Sequence, residues 1–190
     1  GPTFAGVALA VGAWFALPTA AADLAQARQL INEGRFGQAL ALLDSHLKAS
    51  PQDAEARFTR GLVLVRMSRA DEAIQVFADL TRDFPQLPEP YNNLAVLYAQ
   101  RGDYERARDA LEAALSTHPS YSTAHENLGD VYTALATAAY NRALVLDTSN
   151  DSIRVKLNRL NQMEGVSHEP ATDAVEPADS YTLRTLRYSH

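Results

Sequence analysis

The sequence predicts an all-α protein, an α-solenoid of stacked helix-turn-helix units, and two observations carry this prediction. First, residues recur with a period of 34 in several independent columns, as Pro51, Pro85 and Pro119 do. Second, apolar residues within each period recur every three and four positions, the spacing that places them on one face of a helix. A period of this length indicates units that bury their apolar faces by stacking on their neighbours.

The composition fits a chain with a packed core. Of 190 residues, 46% are hydrophobic and 21% are charged, which is typical of a globular protein. The sequence contains no cysteine, which excludes disulfides, zinc-thiolate sites and thiol nucleophiles. A formal net charge of −6 provides no basic field, so we expect no nucleic-acid partner.

Residues 1–22 are predicted to be a signal peptide or an anchor helix. Residues 3–17 are uncharged and mostly apolar, and the small residues Ala20, Ala21 and Ala22 follow. This pattern favours a secretory signal peptide cleaved after Ala22. The alternative is a retained anchor that contacts the membrane, although roughly 22 Å of helix is short for a hydrocarbon core of roughly 30 Å. Both interpretations predict export, most simply to a bacterial periplasm.

Four helix-turn-helix units are predicted after this segment. They span about residues 20–53, 54–87, 88–121 and, in atypical form, 122–148. Gly34, Ser68 and Gly102 stand at the turn between the two helices of the first three units, and a proline closes each of these units. A column of small residues lets paired helices approach closely, and a column of large residues fills the space between units. These columns are Ala27, Gly61, Ala95 and Gly129, and Leu30, Leu64, Tyr98 and Tyr132.

The fourth unit lacks its turn. Its second half resembles a second helix but comes five residues early, because 7 positions separate Gly129 from Ala136 whereas 12 separate Gly61 from Ala73. The intervening residues are good helix formers, with no glycine or proline among them. We therefore predict one continuous helix over about residues 121–147.

This continuous helix presents an apolar stripe that needs a cover. The stripe consists of Leu135, Ala139, Ala143 and Leu146. A capping helix within residues 149–164, with Ile153, Leu157 and Leu160 on one face, would cover it within the chain, and we favour this arrangement. The alternative is a homodimer in which two copies exchange their terminal helices through the fourth unit.

The last segment, residues 165–190, has a different character from the repeats. It is acidic, contains proline and has few large apolar residues before Tyr181. Such a composition predicts an extended or disordered tail. The alternative is a short docking segment, formed by the bulky residues near its end, that packs on the repeats or on another protein.

The third unit carries the fullest set of packing residues. They are Tyr91, Leu94, Ala95, Tyr98, Ala107, Leu111, Ala114 and Pro119. This pattern resembles the tetratricopeptide repeat, and the resemblance covers about residues 23–148. It implies a right-handed superhelix whose concave face is lined by the first helix of each unit. It also implies a partner protein, although such repeats serve many unrelated functions.

The resemblance implies a partner-binding groove on the concave face. Its candidate residues are Phe58, Leu62, Arg66, Asn92, Asn93, Glu126 and Asn127. Asn93 and Asn127 are 34 residues apart, and a side-chain amide both donates and accepts hydrogen bonds. They look like two rungs of the asparagine ladder with which some members hold a peptide backbone. The alternative is that these asparagines only cap helices or hydrate the groove.

The sequence contains no recognisable catalytic motif. None of the five histidines stands three or four residues from another, as a metal-binding pair on a helix requires, and no phosphate loop or nucleophile elbow is present. We therefore expect no enzyme activity, cofactor, metal ion or small-molecule substrate. The main hypothesis is a scaffold or assembly factor of the bacterial cell envelope that holds an extended peptide segment. The second is a structural accessory subunit of a membrane-associated complex, held by its terminal segments with the groove unused.

Overall fold

The computed structural model describes residues 20–164, and this part of the chain consists of helices without strands. The helices are α1 Ala20–Asn32, α2 Phe36–Ala49, α3 Ala54–Arg66, α4 Ala70–Asp83, α5 Pro88–Gln100, α6 Tyr104–Thr117, α7 Ser122–Leu146 and α8 Asp151–Glu164. The all-α solenoid prediction is confirmed. The predictions for residues 3–17 and 165–190 lie outside the described residues. None of the described helices combines the length and hydropathy that a membrane span requires.

The first helix of each of the first three units ends in the same backbone turn. Gly34, Ser68 and Gly102 have φ values of 72°, 58° and 74°, in the left-handed region. The next residue then donates its N–H to a carbonyl five positions back, as Arg35 does to Leu30 at 2.8 Å. This is the ending that glycine allows without strain, and serine adopts it at some cost. The predicted turn positions are confirmed.

Buried side chains on the second helices form the columns on which the stack depends. Ala39, Ala73 and Ala107 are all fully buried at equivalent positions of α2, α4 and α6. Four residues further along each helix a large side chain is buried as well, and Phe77 on α4 is the largest of these. A small residue followed by a large one lets each second helix approach its partner closely and then fill the remaining space.

The core consists of two clusters of buried side chains that share two residues at their boundary. The first cluster is contributed by α1 to α5 and contains most of the buried leucines together with Phe77. The second is contributed by α5 to α7, and most of its buried residues are alanines. Tyr98 and Ala110 pack against both clusters. The two halves of the stack are therefore joined through few large side chains.

Gly61 marks a close approach between α3 and α4, the two helices of the second unit. A Cβ atom at this position would lie 2.6 Å from the ring of Phe77 on α4. We expect Gly61→Ala to lower the free energy of unfolding by about 1–2 kcal/mol, because the overpacking exceeds the helix propensity that alanine gains. Urea unfolding followed by circular dichroism measures this change.

Gly129 provides the matched control, because it occupies the same column in the fourth unit. A Cβ atom there meets no heavy atom of the described chain within 4 Å, apart from its own helix. Gly129→Ala at low protein concentration is therefore expected to raise the free energy of unfolding by up to about 1 kcal/mol. Equal effects of the two substitutions would contradict the packing argument.

Helix α7 is a single helix from Ser122 to Leu146, in agreement with the predicted continuous helix. Its first half packs on α5 and α6 and buries Ala124 and Val131. Ala136 stands 34 residues after Gly102, where the earlier units have their turn. Alanine favours the helix and disfavours the left-handed turn conformation, so the helix continues.

Helix α8 covers only part of α7. It folds back after a short turn, buries Leu157, and places Lys156 Nζ 5.3 Å from the centre of the Tyr140 ring. The expectation that α8 covers the whole apolar stripe is wrong for Ala139 and for Leu146, which is 88% exposed. The reason is geometric: neighbouring helix positions differ by about 100°, so a helix on the Tyr140 side leaves the Ala139 side open.

Candidate functional site

The first helices of successive units lie side by side and form one continuous surface, called here the first-helix face. Arg28 on α1 forms an ion pair with Glu55 on α3. Asn127 on α7 donates from Nδ2 to Asn92 Oδ1 on α5 at 2.8 Å. Direct side-chain contacts thus connect the first helices of the first and second units, and those of the third and fourth units, as stacking of neighbouring repeats requires.

The seven predicted groove residues differ widely in exposure. Arg66 and Glu126 are exposed, and Phe58 and Asn127 are half-buried. Leu62, Asn92 and Asn93 are buried, the two asparagines at 0% and 1% exposure. The ring of Phe58 packs 5.5 Å from that of Phe77 on α4, so it is engaged within the core of its own unit. In this structure the outer surface of the groove is therefore mainly polar.

Asn93 and Asn127 do not form two equivalent rungs with side chains that point freely into the groove. Asn127 is hydrogen-bonded to Asn92 and not to Asn93, its counterpart in the repeat. Asn93 donates from Nδ2 to the carbonyl of Glu89 at 2.9 Å, one turn earlier on α5. The predicted spacing along the chain is present, but in this structure the side chain of Asn93 bonds within its own helix.

Two buried amide atoms have no hydrogen-bond partner within the described residues. They are Asn92 Nδ2, a donor, and Asn93 Oδ1, an acceptor. An unpaired buried polar atom typically costs about 1–3 kcal/mol. These atoms belong to consecutive residues of α5 and provide one donor and one acceptor, the two kinds of group that hydrogen-bond to a peptide backbone.

The first-helix face is acidic near its carboxyl-terminal end. Glu126 and Asp130 lie one turn apart on α7. Desolvation, followed by the negative charge of Glu126, raises the pKa of Asp130 above its usual value. A cation placed beside this pair would relieve the repulsion, so the surface is suited to lysine or arginine side chains.

A buried histidine cluster in the first unit is absent from the sequence-based prediction. His46 Nε2 lies 2.8 Å from Asp53 Oδ2 and its Nδ1 lies 3.3 Å from Asp23 Oδ2. The sequence contains a signal for it, because His46 stands in the same column as the buried Leu80 and Ala114. A histidine in an apolar column requires polar partners. The cluster connects α1, α2 and the start of α3, away from the predicted groove.

This cluster predicts a pH dependence of stability. The hydrogen bond to Asp53, and then that to Asp23, raise the pKa of His46, and burial opposes them. A histidine with a raised folded pKa stabilises the fold in full below its unfolded value, about 6.5. We expect the free energy of unfolding to fall as the pH rises through the folded pKa, measured by urea unfolding at several pH values above 6.

Substitution of His46 tests the origin of that pH dependence. His46→Gln is expected to reduce the loss of stability between mildly acidic and alkaline pH. The matched control is His125→Gln, because His125 is exposed on α7. If the pH profile of stability remains steep in His46→Gln and becomes flat in His125→Gln, then His125 and not His46 causes the pH dependence.

A depression on the opposite, second-helix side of the stack offers little for recognition. It lies among α2, α3 and α4, with Arg57 and Arg60 in its wall. Arg60 is paired with Asp44 at 2.6 Å and Arg57 with Asp83 at 2.8 Å. Each of these guanidinium groups is therefore already paired with a carboxylate, which makes it less available to an anion.

Comparison with protein families identifies the repeats. Two models of the family described as tetratricopeptide repeat match the chain, one over residues 24–88 and the other over residues 64–128. Together the two matches cover the first three units and the beginning of α7. The residue pattern of the sequence and the family models therefore agree.

Curated relatives are similar over a small part of their own length. The TPR repeat-containing thioredoxin TTL4 of Arabidopsis thaliana is 30% identical over 79 residues, 42% of this chain and 12% of the relative. The probable UDP-N-acetylglucosamine-peptide N-acetylglucosaminyltransferase SPINDLY of Hordeum vulgare is 29% identical over 122 residues, 64% of this chain and 13% of the relative. The chain thus spans about an eighth of these proteins.

Solved structures show the same fold. YrrB, described as a TPR protein with an unusual peptide-binding site, is similar with a TM-score of 0.54 and 25% identity over 58% of this chain and 57% of its own. The MamA protein is similar with a TM-score of 0.58 and 19% identity over 90% of this chain and 96% of its own. The second similarity extends over nearly the whole of both chains.

Proposed function

Because residues 24–128 belong to the tetratricopeptide repeat family, whose repeats mediate protein-protein interaction, we propose that this protein is a non-enzymatic scaffold. It binds an extended segment of another protein along its first-helix face. The observation that carries this proposal is the pair of unpaired amide atoms, Asn92 Nδ2 and Asn93 Oδ1. The described peptide-binding character of YrrB, a structural neighbour at 25% identity, supports it.

Binding requires the asparagine side chains to turn outward. Asn92 and Asn93 are buried, and each already makes one hydrogen bond, to Asn127 and to Glu89 respectively. A peptide backbone group that accepts from one amide and donates to the other would compensate for the rotation. The contact would be made to the backbone and would therefore tolerate many side chains.

The acidic end of the face gives the segment a preferred chemistry. Glu126 and Asp130 carry adjacent charges that already repel each other. Arg66 lies two units away on the same face and is exposed. We therefore propose a segment with a basic residue at the α7 end and an acidic residue at the α3 end, which also fixes its direction.

The test uses 12-residue peptides selected from a random display library on the immobilised full chain. The strongest selected peptide is the probe, measured by calorimetry. Arg66→Ala and Glu126→Ala are expected to weaken its binding about tenfold each without changing thermal unfolding, because both residues are exposed. Asn141→Ala on the outer side of α7 is the control.

Two further measurements decide whether the asparagines hold the backbone. Asn93→Ala combined with Asn127→Ala is expected to weaken the probe, and N-methylation of single probe residues is expected to weaken it more than alanine substitution does. A probe that binds all of these variants with unchanged affinity, or that loses affinity only when its side chains change, would refute the proposed site.

Export to a bacterial periplasm, and a role as scaffold or assembly factor in the cell envelope, form part of this proposal. They rest on the uncharged residues 3–17 followed by Ala20, Ala21 and Ala22. Helix α1 begins at Ala20, so cleavage after Ala22 would remove its first three residues. Amino-terminal sequencing of the native protein separates a cleaved signal from a retained anchor.

The second candidate function is a structural accessory subunit of a membrane-associated complex that is held by its terminal segments, with the groove unused. The exposed apolar residues at the end of α7, Val145 and Leu146, favour it. In that case the groove variants would leave assembly intact while substitutions on α7 would disrupt it. Crosslinking in the source envelope followed by mass spectrometry identifies which face carries the partner.

A further inference from the structure

The end of the stack exposes apolar side chains that the preceding units bury. Within the described side chains, the exposed large hydrophobic residues are Tyr132, Val145, Leu146 and Val155. All four lie on α7 or α8. The terminal unit of a stacked array normally has a polar outer face, because no further unit covers it. This end therefore resembles an internal surface of the stack.

Two columns of the repeat, those of Tyr132 and Gly129, are covered less in the fourth unit than in the second. Tyr132 is 48% exposed, whereas its counterpart Leu64 is fully buried. Around Gly129 no other described residue comes within 4 Å of a Cβ position, whereas its counterpart Gly61 meets Phe77. In the earlier units the second helix covers both columns. In the fourth unit α8 is displaced toward the far end of α7, so none of residues 20–164 covers this part of α7.

The open part of α7 also carries no charge. The eleven residues from Val131 to Asn141 contain no acidic or basic side chain. Helices that face water normally carry charged residues on their outer side. Ala139 is exposed within this stretch, and most of the other side chains are half-buried. The stretch has the composition of a helix packed on all sides.

Six residues of α7 form what is called here the α7 seam. They alternate at spacings of three and four and are Gly129, Tyr132, Ala136, Ala139, Ala143 and Leu146. This is the a/d spacing of a coiled coil, in which two helices pack along one seam. The contact of α8 with α7 at Tyr140 lies beside this seam.

The order of large and small residues in the α7 seam makes it complementary to itself. When two copies run antiparallel about the midpoint between Ala136 and Ala139, Leu146 of each copy meets the open space at Gly129 of the other. In the same arrangement Tyr132 meets Ala143 of the second copy, and the alanines meet at the centre. Large residues thus meet small ones in the four outer layers, and the two central layers pair small residues, which lets the helices approach closely.

We propose that the α7 seam is a docking site for a second copy of this chain, bound antiparallel through the same seam. The contact spans about 26 Å of helix, which is short for a stable interface, so we expect a weak dimer that forms only at high protein concentration. This proposal does not depend on peptide binding by the first-helix face. The homodimer considered from the sequence exchanges its terminal helices. The dimer proposed here instead pairs the α7 helices of two copies without any exchange.

The absence of cysteine from the sequence allows a direct test of register. Gly129→Cys and Leu146→Cys variants of the full chain are mixed at about 50 μM and oxidised. Antiparallel pairing predicts a disulfide between the two variants and little within either variant alone, because equivalent residues then lie about 25 Å apart along the axis. Parallel pairing predicts the reverse and would overturn the proposal. Asn141→Cys, on another side of α7, is the control.

Disruption of the α7 seam gives the second arm. Ala139→Glu places two carboxylates near the centre and is expected to weaken the dimer at least tenfold in sedimentation equilibrium, with unchanged helical content. Asn141→Glu is the matched control and keeps the dimer. A chain that remains monomeric at 200 μM overturns the proposal. If it then dimerises only after removal of residues 165–190, the tail covers the seam and a second copy is not its normal occupant.

Discussion

Replacing Phe77 with alanine is expected to lower the free energy of unfolding by about 3–5 kcal/mol. Phe77 is fully buried, lies against Gly61 and packs on the ring of Phe58. The cavity cannot collapse easily, because α3 and α4 already approach each other as closely as a glycine allows. Urea unfolding followed by circular dichroism at 222 nm measures the loss.

The control for this prediction is Leu146→Ala, which removes a side chain of similar chemistry that is 88% exposed. At low protein concentration it is expected to change the free energy of unfolding by less than about 0.5 kcal/mol. A loss below about 1 kcal/mol for Phe77→Ala would mean that the contact between α3 and α4 relaxes and that the core is less tightly packed than the structure shows.

Replacing Asn92 with aspartate is expected to lower the free energy of unfolding by about 3 kcal/mol at neutral pH. The substitution places a carboxylate at a position with 0% exposure, where Asn127 is the one described residue that donates to the side chain. Burial raises the pKa of the new carboxyl group in the folded state. Stability is therefore expected to recover as the pH falls toward about 4, where the group is protonated.

The exposed Asn141 on α7 provides the control for the buried charge. Asn141→Asp is expected to change the free energy of unfolding by less than about 0.5 kcal/mol, with little pH dependence. The pH profile distinguishes the proposed cause from simple misfolding. If Asn92→Asp is equally unstable at pH 4 and at pH 7, burial of charge is not the reason for its instability.

Local chemistry explains why much of the fold could be predicted. The turn at Gly34 and its counterparts follows from a backbone conformation that few residues tolerate, so residue identity alone marks it. The continuous α7 follows from the same logic in reverse, since Ala136 stands where a turn residue is required. Helix periodicity then identifies the buried columns, because apolar residues spaced every three and four positions share one face of a helix, and that face must be the buried one.

Contacts between units explain what could not be predicted. Column position places Asn92 and Asn93 on the first-helix face, but their burial depends on the neighbouring side chains, which periodicity does not specify. The position of α8 depends on where the continuous helix α7 ends. That end depends in turn on how many residues the fourth unit lacks where the other units have their turn. The burial of His46 is different, because it could have been predicted from the sequence: His46 stands in the same repeat column as Leu80, an apolar residue.

The division of the core into two clusters that share Tyr98 and Ala110 has a consequence for cooperativity. The second cluster consists largely of alanines, and Leu157 is the buried apolar residue among the described side chains of α8, so α6, α7 and α8 gain less from burial than the leucine-rich first half. Native-state hydrogen exchange should therefore resolve two opening events, with the amides of α6 to α8 exchanging through a partly unfolded form while α2 to α4 remain protected. The carboxyl-terminal helices would thus open more often than the amino-terminal ones. The rate of proteolysis would then be set by the opening of this less stable half.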